Sequence, residues 1–147
     1  MIVTFCGHSE ISDKEVVRIR LMKELAHLLS KGCRTFYLGG YGDFDWLAAA
    51  VLNDLRECYT DLQVFLILPY PNSKAALSLY DATIYPPLEN IPKRFAISHR
   101  NRWMVENSSI LVAYVDHSWG GAAKTLEYAV RKGLQIISIG SYTYSKI

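Results

Sequence analysis

Tyr37-Leu38-Gly39-Gly40-Tyr41-Gly42-Asp43-Phe44-Asp45 follows an apolar, strand-like run and leads directly into a helical pattern. A strand, a glycine turn and a helix start in that order make a phosphate-sized anion site. Glycines let backbone N–H groups approach a ligand, and a helix N-terminus adds unpaired donors and positive partial charge. A second pair, Gly120-Gly121, occupies the same context after another apolar run. Two such loops in one small chain point to a nucleotide or a nucleotide-like ligand.

Outward from this loop, apolar runs alternate with helical patterns. The first strand is Ile2-Val3-Thr4-Phe5. Ser12 followed by Glu15 fits a capping box, and Val16, Ile19, Leu21, Met22, Leu25, Leu28 and Leu29 give a broad apolar helix face that stops at Lys31-Gly32. The second strand is about 35–38, with its helix over roughly 44–58. A third strand at 64–68 ends at Pro69 and Pro71. The pattern then predicts a helix over roughly 93–106, a strand at 110–114, a helix over about 121–132 ending at Gly133, and a last strand at 136–139. This alternation predicts an α/β, Rossmann-like doubly wound fold. The expected sheet is mostly parallel, has five or more strands with the first one central, and carries helices on both faces. The Pro-rich segment 69–92, with a short helical candidate at 73–79, reads as a lid at the pocket rim or an oligomer contact.

The chain has 147 residues, 50% of them hydrophobic, which suits one domain over 1–147. Sixteen basic against fourteen acidic residues give a net charge of +2, and no dense Lys/Arg run offers a clear nucleic-acid surface. The start lacks the pattern of a signal peptide, and no apolar stretch reaches membrane-spanning length. Cys6, Cys33 and Cys58 are odd in number and widely spaced, which speaks against a disulfide framework or a zinc site. These observations predict a cytoplasmic protein with no metal and no cofactor.

Ligands of open α/β sheets bind beyond the carboxyl ends of the strands. Three loops leave such ends: Cys6-Gly7-His8-Ser9-Glu10, the 39–45 loop, and Asp116-His117-Ser118-Trp119-Gly120-Gly121. Gly7, Gly40, Gly42, Gly120 and Gly121 are expected to line one cleft. Neither glycine loop is a Walker A sequence or a full dinucleotide fingerprint. Asp43 and Asp45 either cap the following helix or bind a ribose hydroxyl. His8 is either a hydrogen-bonded loop residue or a base. Arg100 can reach a ligand phosphate with its planar fork, whereas Arg102 reads as a solvated surface residue.

At these residues the chain resembles the SLOG superfamily, named for the Smf/DprA and LOG ("Lonely Guy") proteins. Within it the likeness is to a small uncharacterised bacterial Gly-His-Arg branch, YpsA-like. The pieces that carry it are Gly7-His8, Gly39-Gly40-Tyr41-Gly42-Asp43-Phe44-Asp45, Arg100-Asn101-Arg102-Trp103-Met104 and Gly120-Gly121-Ala122. Ser9 stands where that branch has arginine, and Ala122 where it has threonine. LOG enzymes cleave the N-glycosidic bond of nucleoside 5′-monophosphates with a Pro-Gly-Gly-x-Gly-Thr-x-x-Glu motif and an upstream arginine. Gly120, Gly121 and Glu127 match that motif, Arg100 fits the upstream arginine, and Trp119, Ala123 and Lys124 depart from it. The resemblance implies a sensor or regulatory module whose ligand meets Gly7, His8, Ser9, Gly39, Gly40, Gly42, Asp43, Asp45, Gly120, Gly121, Ala122 and Lys124. The alternatives are a phosphoribohydrolase with Arg100 and Glu127 as catalytic residues, and an interaction protein with a vestigial pocket and tyrosines 80, 85, 142 and 144 on its surface. The resemblance also implies a homodimer or higher homo-oligomer, to which Trp103, Tyr128 and Leu88 are expected to contribute.

Overall fold

The computed structural model describes residues 1–71 and 77–141. In chain order the elements are β1 (Ile2–Gly7), α1 (Lys14–Ser30), β2 (Thr35–Leu38), α2 (Gly42–Leu55), β3 (Gln63–Ile67), β4 (Ala82–Ile84), α3 (Ala96–Glu106), β5 (Ile110–Tyr114), α4 (Gly121–Arg131) and β6 (Gln135–Ser138). The six strands form one sheet in the order β4-β3-β2-β1-β5-β6, and every pairing is parallel. The chain runs leftward from β1 through β2, β3 and β4, then crosses to β5 on the other side of β1. The reversal of direction therefore falls between β1 and β5, where two successive crossovers leave a crevice at the strand ends.

Packing explains the burial pattern. All five residues of β5 are buried, as a strand covered on both faces requires. On one face α1 and α2 press Leu21, Leu25, Phe44 and Leu52 onto Phe5 and Phe36. On the other, Val105 of α3 and Ala123, Leu126 and Ala129 of α4 pack onto Cys6, Leu111 and Ala113. Cys6 and Cys33 are buried and Cys58 is exposed, all three as free thiols. Burial pushes the Cys6 thiol far above its ordinary pKa, so it stays protonated and inert.

Several details differ from the sequence expectation. The N-cap of α1 is Asp13, not Ser12: its carboxylate accepts from the N–H of Val16 at 3.3 Å. Val16 and Ile19 are 51% and 61% exposed, because the inward stripe is Val17, Leu21, Leu25 and Leu28. The Pro-rich segment adds an unexpected edge strand, β4. Asp81 pins it by accepting from the N–H of Val64 and from Arg56, both at 2.7 Å. The helical candidate at 73–79 is a 3-10 turn at Leu77–Leu79; its remainder, like tyrosines 142 and 144, lies outside the described residues. Leu88 is buried, Trp103 stacks on Tyr37 at 5.6 Å, and Tyr128 donates to Glu106 at 2.7 Å. All three thus find partners within the chain. No helix among the described residues is long and apolar enough to cross a membrane.

Candidate functional site

The loop after β1 is fixed from α2. Asp43 donates its backbone N–H to the carbonyl of Ser9 at 2.8 Å, and its carboxylate accepts from the N–H of Ile11 at 3.1 Å. Lys14 approaches the same carboxylate at 3.7 Å. This contact requires glycine at 42, where φ is +89° and a Cβ would lie 2.6 Å from the Cα of Ser9. A Cβ at Gly7 would sit 2.3 Å from the Phe44 ring. These glycines therefore let backbone and rings meet inside the protein.

The loop after β5 is tied to the loop after β1. Nε2 of His8 accepts from the backbone N–H of Asp116 at 2.8 Å, so the neutral ring carries its proton on Nδ1. The His8 ring stacks on His117 at 3.9 Å and 17°, and His117 stacks on Trp119 at 3.9 Å and 15°. Burial and the neighbouring His117 lower the His8 pKa, partly opposed by Asp116. Asp116 accepts from the backbone N–H and hydroxyl of Ser141 at 2.8 and 2.9 Å. Burial works to raise its pKa. The hydrogen bonds from Ser141 and from the Tyr114 hydroxyl outweigh that and hold it below the ordinary value. Gly120, at φ +92°, turns the chain into α4, whose start has no side-chain cap. The first N–H groups of that helix are therefore open to an anion.

A buried arginine and a buried aspartate lie below. Arg100, 4% exposed, reaches across the sheet end from α3 and donates Nη1 to the carbonyls of Gly39 and Ile67 at 2.9 and 3.0 Å. Its Nε donates to Asn101 at 2.9 Å. Asp45, 8% exposed in the first turn of α2, accepts from the N–H of Tyr41 at 3.3 Å. Burial raises the Asp45 pKa to about 6, although Arg100 and the N–H groups of Tyr41, Gly40 and Gly39 act in the opposite direction.

These parts enclose a cavity of about 720 Å³ at the β1/β5 crevice, within the usual range of small-molecule sites, about 300–1,000 Å³. Of the residues singled out in the sequence, Gly7, His8, Ser9, Asp45, Arg100, Gly120, Gly121 and Ala122 line it. Gly39, Gly40, Gly42, Asp43, Lys124 and Glu127 do not. Gly39 makes room for the Arg100 guanidinium, Gly40 for Leu66, and Gly42 for Ser9. The expectation that Gly40 and Gly42 share a cleft with Gly7, Gly120 and Gly121 is thus corrected. Lys124 and Glu127 lie on the exposed side of α4, because Ala123, Leu126 and Ala129 face the sheet. Arg102 is exposed, with its guanidinium 5.7 Å from the Tyr128 ring. No described residue of 69–92 lines the cavity. Tyr80 comes near from that segment: burial, with a contribution from Asp45, raises its hydroxyl pKa to about 12.

Tyr41, Asp116 and His117, in two of the strand-end loops named from the sequence, Asn101 of the Arg100 cluster, and Tyr114 and Thr125 also line the cavity, although none of the six was assigned a ligand contact. Asp116 and His117 carried a signal, since they directly follow a strand in the loop that ends at Gly120. Thr125 is recoverable from helical spacing, one turn after Gly121, whose carbonyl its hydroxyl donates to at 2.8 Å. Among the described residues no group of three or more His, Cys, Asp or Glu could hold a metal ion.

No protein-family model matches the chain, and no curated protein matches it. Solved structures do. DNA processing protein A from Helicobacter pylori superposes with a TM-score of 0.64 at 12% identity, over 94% of this chain. This chain spans 64% of that protein's length. The molybdenum cofactor carrier protein from Chlamydomonas reinhardtii superposes with a TM-score of 0.61 at 16% identity, over 95% of this chain and 78% of that one. A further structure of the Chlamydomonas carrier gives 0.58 at 15% identity, over 95% and 76%. The chain therefore shares the Rossmann-like α/β fold of these proteins.

Proposed function

We propose that the chain binds a nucleotide or nucleotide-derived ligand in the cavity at the β1/β5 crevice, as a sensor or regulatory module of the SLOG superfamily. The observation that carries this reading is the cavity's polar equipment. A buried carboxylate and a buried guanidinium, Asp45 and Arg100, line the same space as the uncapped start of α4 at Gly120 and Gly121. A phosphate suits the open N–H groups and the guanidinium, and a sugar hydroxyl suits the carboxylate. The fold is shared with a protein that binds single-stranded DNA and one that carries the molybdenum cofactor, which favours a ligand-binding role for this crevice.

The hydrolase alternative loses Glu127, which is exposed and away from the cavity. Of the carboxyls that do line the cavity, Glu10, Asp45 and Asp116, Asp45 suits hydrolysis best, because burial raises its pKa to about 6 whereas that of Asp116 is lowered. Release of free base from a nucleoside monophosphate, lost in Asp45→Asn, would establish that alternative. A cytoplasmic setting and self-association belong to the same proposal. Exposed Val16, Ile19 and Trp46 supply the apolar surface for a dimer, and sedimentation equilibrium at micromolar concentration tests it.

Mass spectrometry of the freshly purified protein tests the ligand reading. A co-purifying anion that carries both a phosphate and a planar base supports it. Uncharged or apolar ligands alone would contradict it.

A further inference from the structure

We infer that Trp119 is a stacking platform for the planar base of the ligand, so that the site selects nucleotides over phosphorylated sugars. This rests on the ligand reading above and adds which part of the ligand is recognised.

Three rings form a column that runs outward from the cavity wall. His8 is fixed at the inner end by the N–H of Asp116 and meets the edge of the Tyr114 ring at 5.8 Å. His117 lies on His8 and Trp119 on His117, each pair with centroids 3.9 Å apart and planes within 17° of parallel. His8 and His117 line the cavity, and Trp119, which does not line it, directly precedes the lining residue Gly120 at the open start of α4. Trp119 has one ring face on His117, yet it is 68% exposed. An indole with one face held and the other in water is already oriented for a further flat ring. Its side-chain entropy is spent before the ligand arrives.

The neighbouring helix start gives the platform its ligand class. An anion on the first N–H groups of α4, from Gly121 onward, and an aromatic ring on Trp119 are separated in the chain only by Gly120, and a nucleotide carries both groups on one short scaffold. Stacking on an aromatic side chain is tolerant of base identity, because every base has a π-face. The platform therefore distinguishes base from no base rather than one base from another. A phosphorylated sugar would use the anion site alone.

Calorimetric titrations with adenosine 5′-monophosphate and with ribose 5-phosphate test this on wild type, Trp119→Ala and Trp119→Phe. The expected result is tighter binding of the nucleotide than of the sugar phosphate to wild type. Trp119→Ala should weaken the nucleotide by roughly tenfold while leaving ribose 5-phosphate unchanged, and Trp119→Phe should restore most of the difference. Indole fluorescence should be quenched by the nucleotide in wild type and not in Trp119→Ala. If wild type binds both probes equally, or if Trp119→Ala weakens both alike, the stacking inference is wrong while the ligand reading stands. If wild type binds neither these probes nor guanosine, cytidine or uridine 5′-monophosphate, the ligand reading fails and this inference falls with it.

Discussion

The imidazole Nε2 of His8 accepts the backbone N–H of Asp116 at 2.8 Å, and this bond joins the loops that leave the two strands flanking the crevice. Only the neutral ring can make it. The His8 pKa is lowered in the folded protein, first by burial and then by His117. The unfolded chain therefore takes up the proton at higher pH than the native one. The contribution of His8 to stability is complete above its unfolded pKa, about 6.5. It is lost as pH falls below that value toward the lower folded one. Urea denaturation from pH 7.5 to 5.5 should show the midpoint falling. In His8→Phe, which keeps a ring in the stack but no acceptor, the dependence should be flatter. An equal slope in both proteins would refute the assignment.

Asp45 has the opposite sign. Its folded pKa is raised from 3.8 to about 6, so the protein is favoured by a neutral group at position 45, and that advantage disappears as pH rises through about 6. Above that pH the buried charge costs stability, of the order of 1–3 kcal/mol. Asp45→Asn should therefore raise the urea midpoint at pH 7.5 and leave it nearly unchanged at pH 4. It should also weaken a ligand that offers a hydroxyl to the carboxylate. A destabilised Asp45→Asn protein at pH 7.5 would overturn this account of the carboxylate.

The two glycine loops should respond differently to the same substitution. Gly42→Ala meets both a positive φ and the backbone of Ser9, and should lose about 2–4 kcal/mol. Gly121→Ala meets no atom within 4 Å and has no positive φ. It should be neutral or gain up to about 1 kcal/mol, because alanine favours a helix start over glycine. Thermal denaturation of the two variants side by side checks the contrast, and similar losses in both would contradict it.

Arg100→Met should lower stability by about 2–4 kcal/mol. It would leave the carbonyls of Gly39 and Ile67 without their guanidinium donor and Asp45 without a nearby positive charge. The urea midpoint measures this. A loss below about 1 kcal/mol would mean that the arginine serves the ligand alone.

Much of the sheet was legible because its strands are covered on both faces: β2 and β5 read as apolar runs with the boundaries they have in the structure. The edge strand β4 was not, since Ala82, Thr83 and Ile84 are too few to show a period and are held by Asp81 instead. Exposure of Val16 and Ile19 was hidden because an apolar side chain on a helix does not show which stripe meets the sheet. The glycine loop was correctly placed after β2, yet its direction was not readable. Whether Gly40 and Gly42 open toward a ligand or close onto Leu66 and Ser9 depends on tertiary neighbours. The same holds for Glu127, whose motif position says nothing about its side of α4. Arg100 was legible as a residue with a role, but not the role of bridging the ends of β2 and β3.

The central claim is that a nucleotide-like ligand binds in the crevice against the start of α4. Calorimetric titration of adenosine, guanosine, cytidine and uridine 5′-monophosphates into wild type and Gly121→Val tests it most directly. The variant fills space at the cavity wall where no protein atom lies within 4 Å, so its fold should be retained and its urea midpoint should stay close to that of wild type. At least one nucleotide should bind wild type, and Gly121→Val should weaken it by tenfold or more. Wild type silent toward all four nucleotides, or a folded Gly121→Val that binds as wild type does, would contradict it.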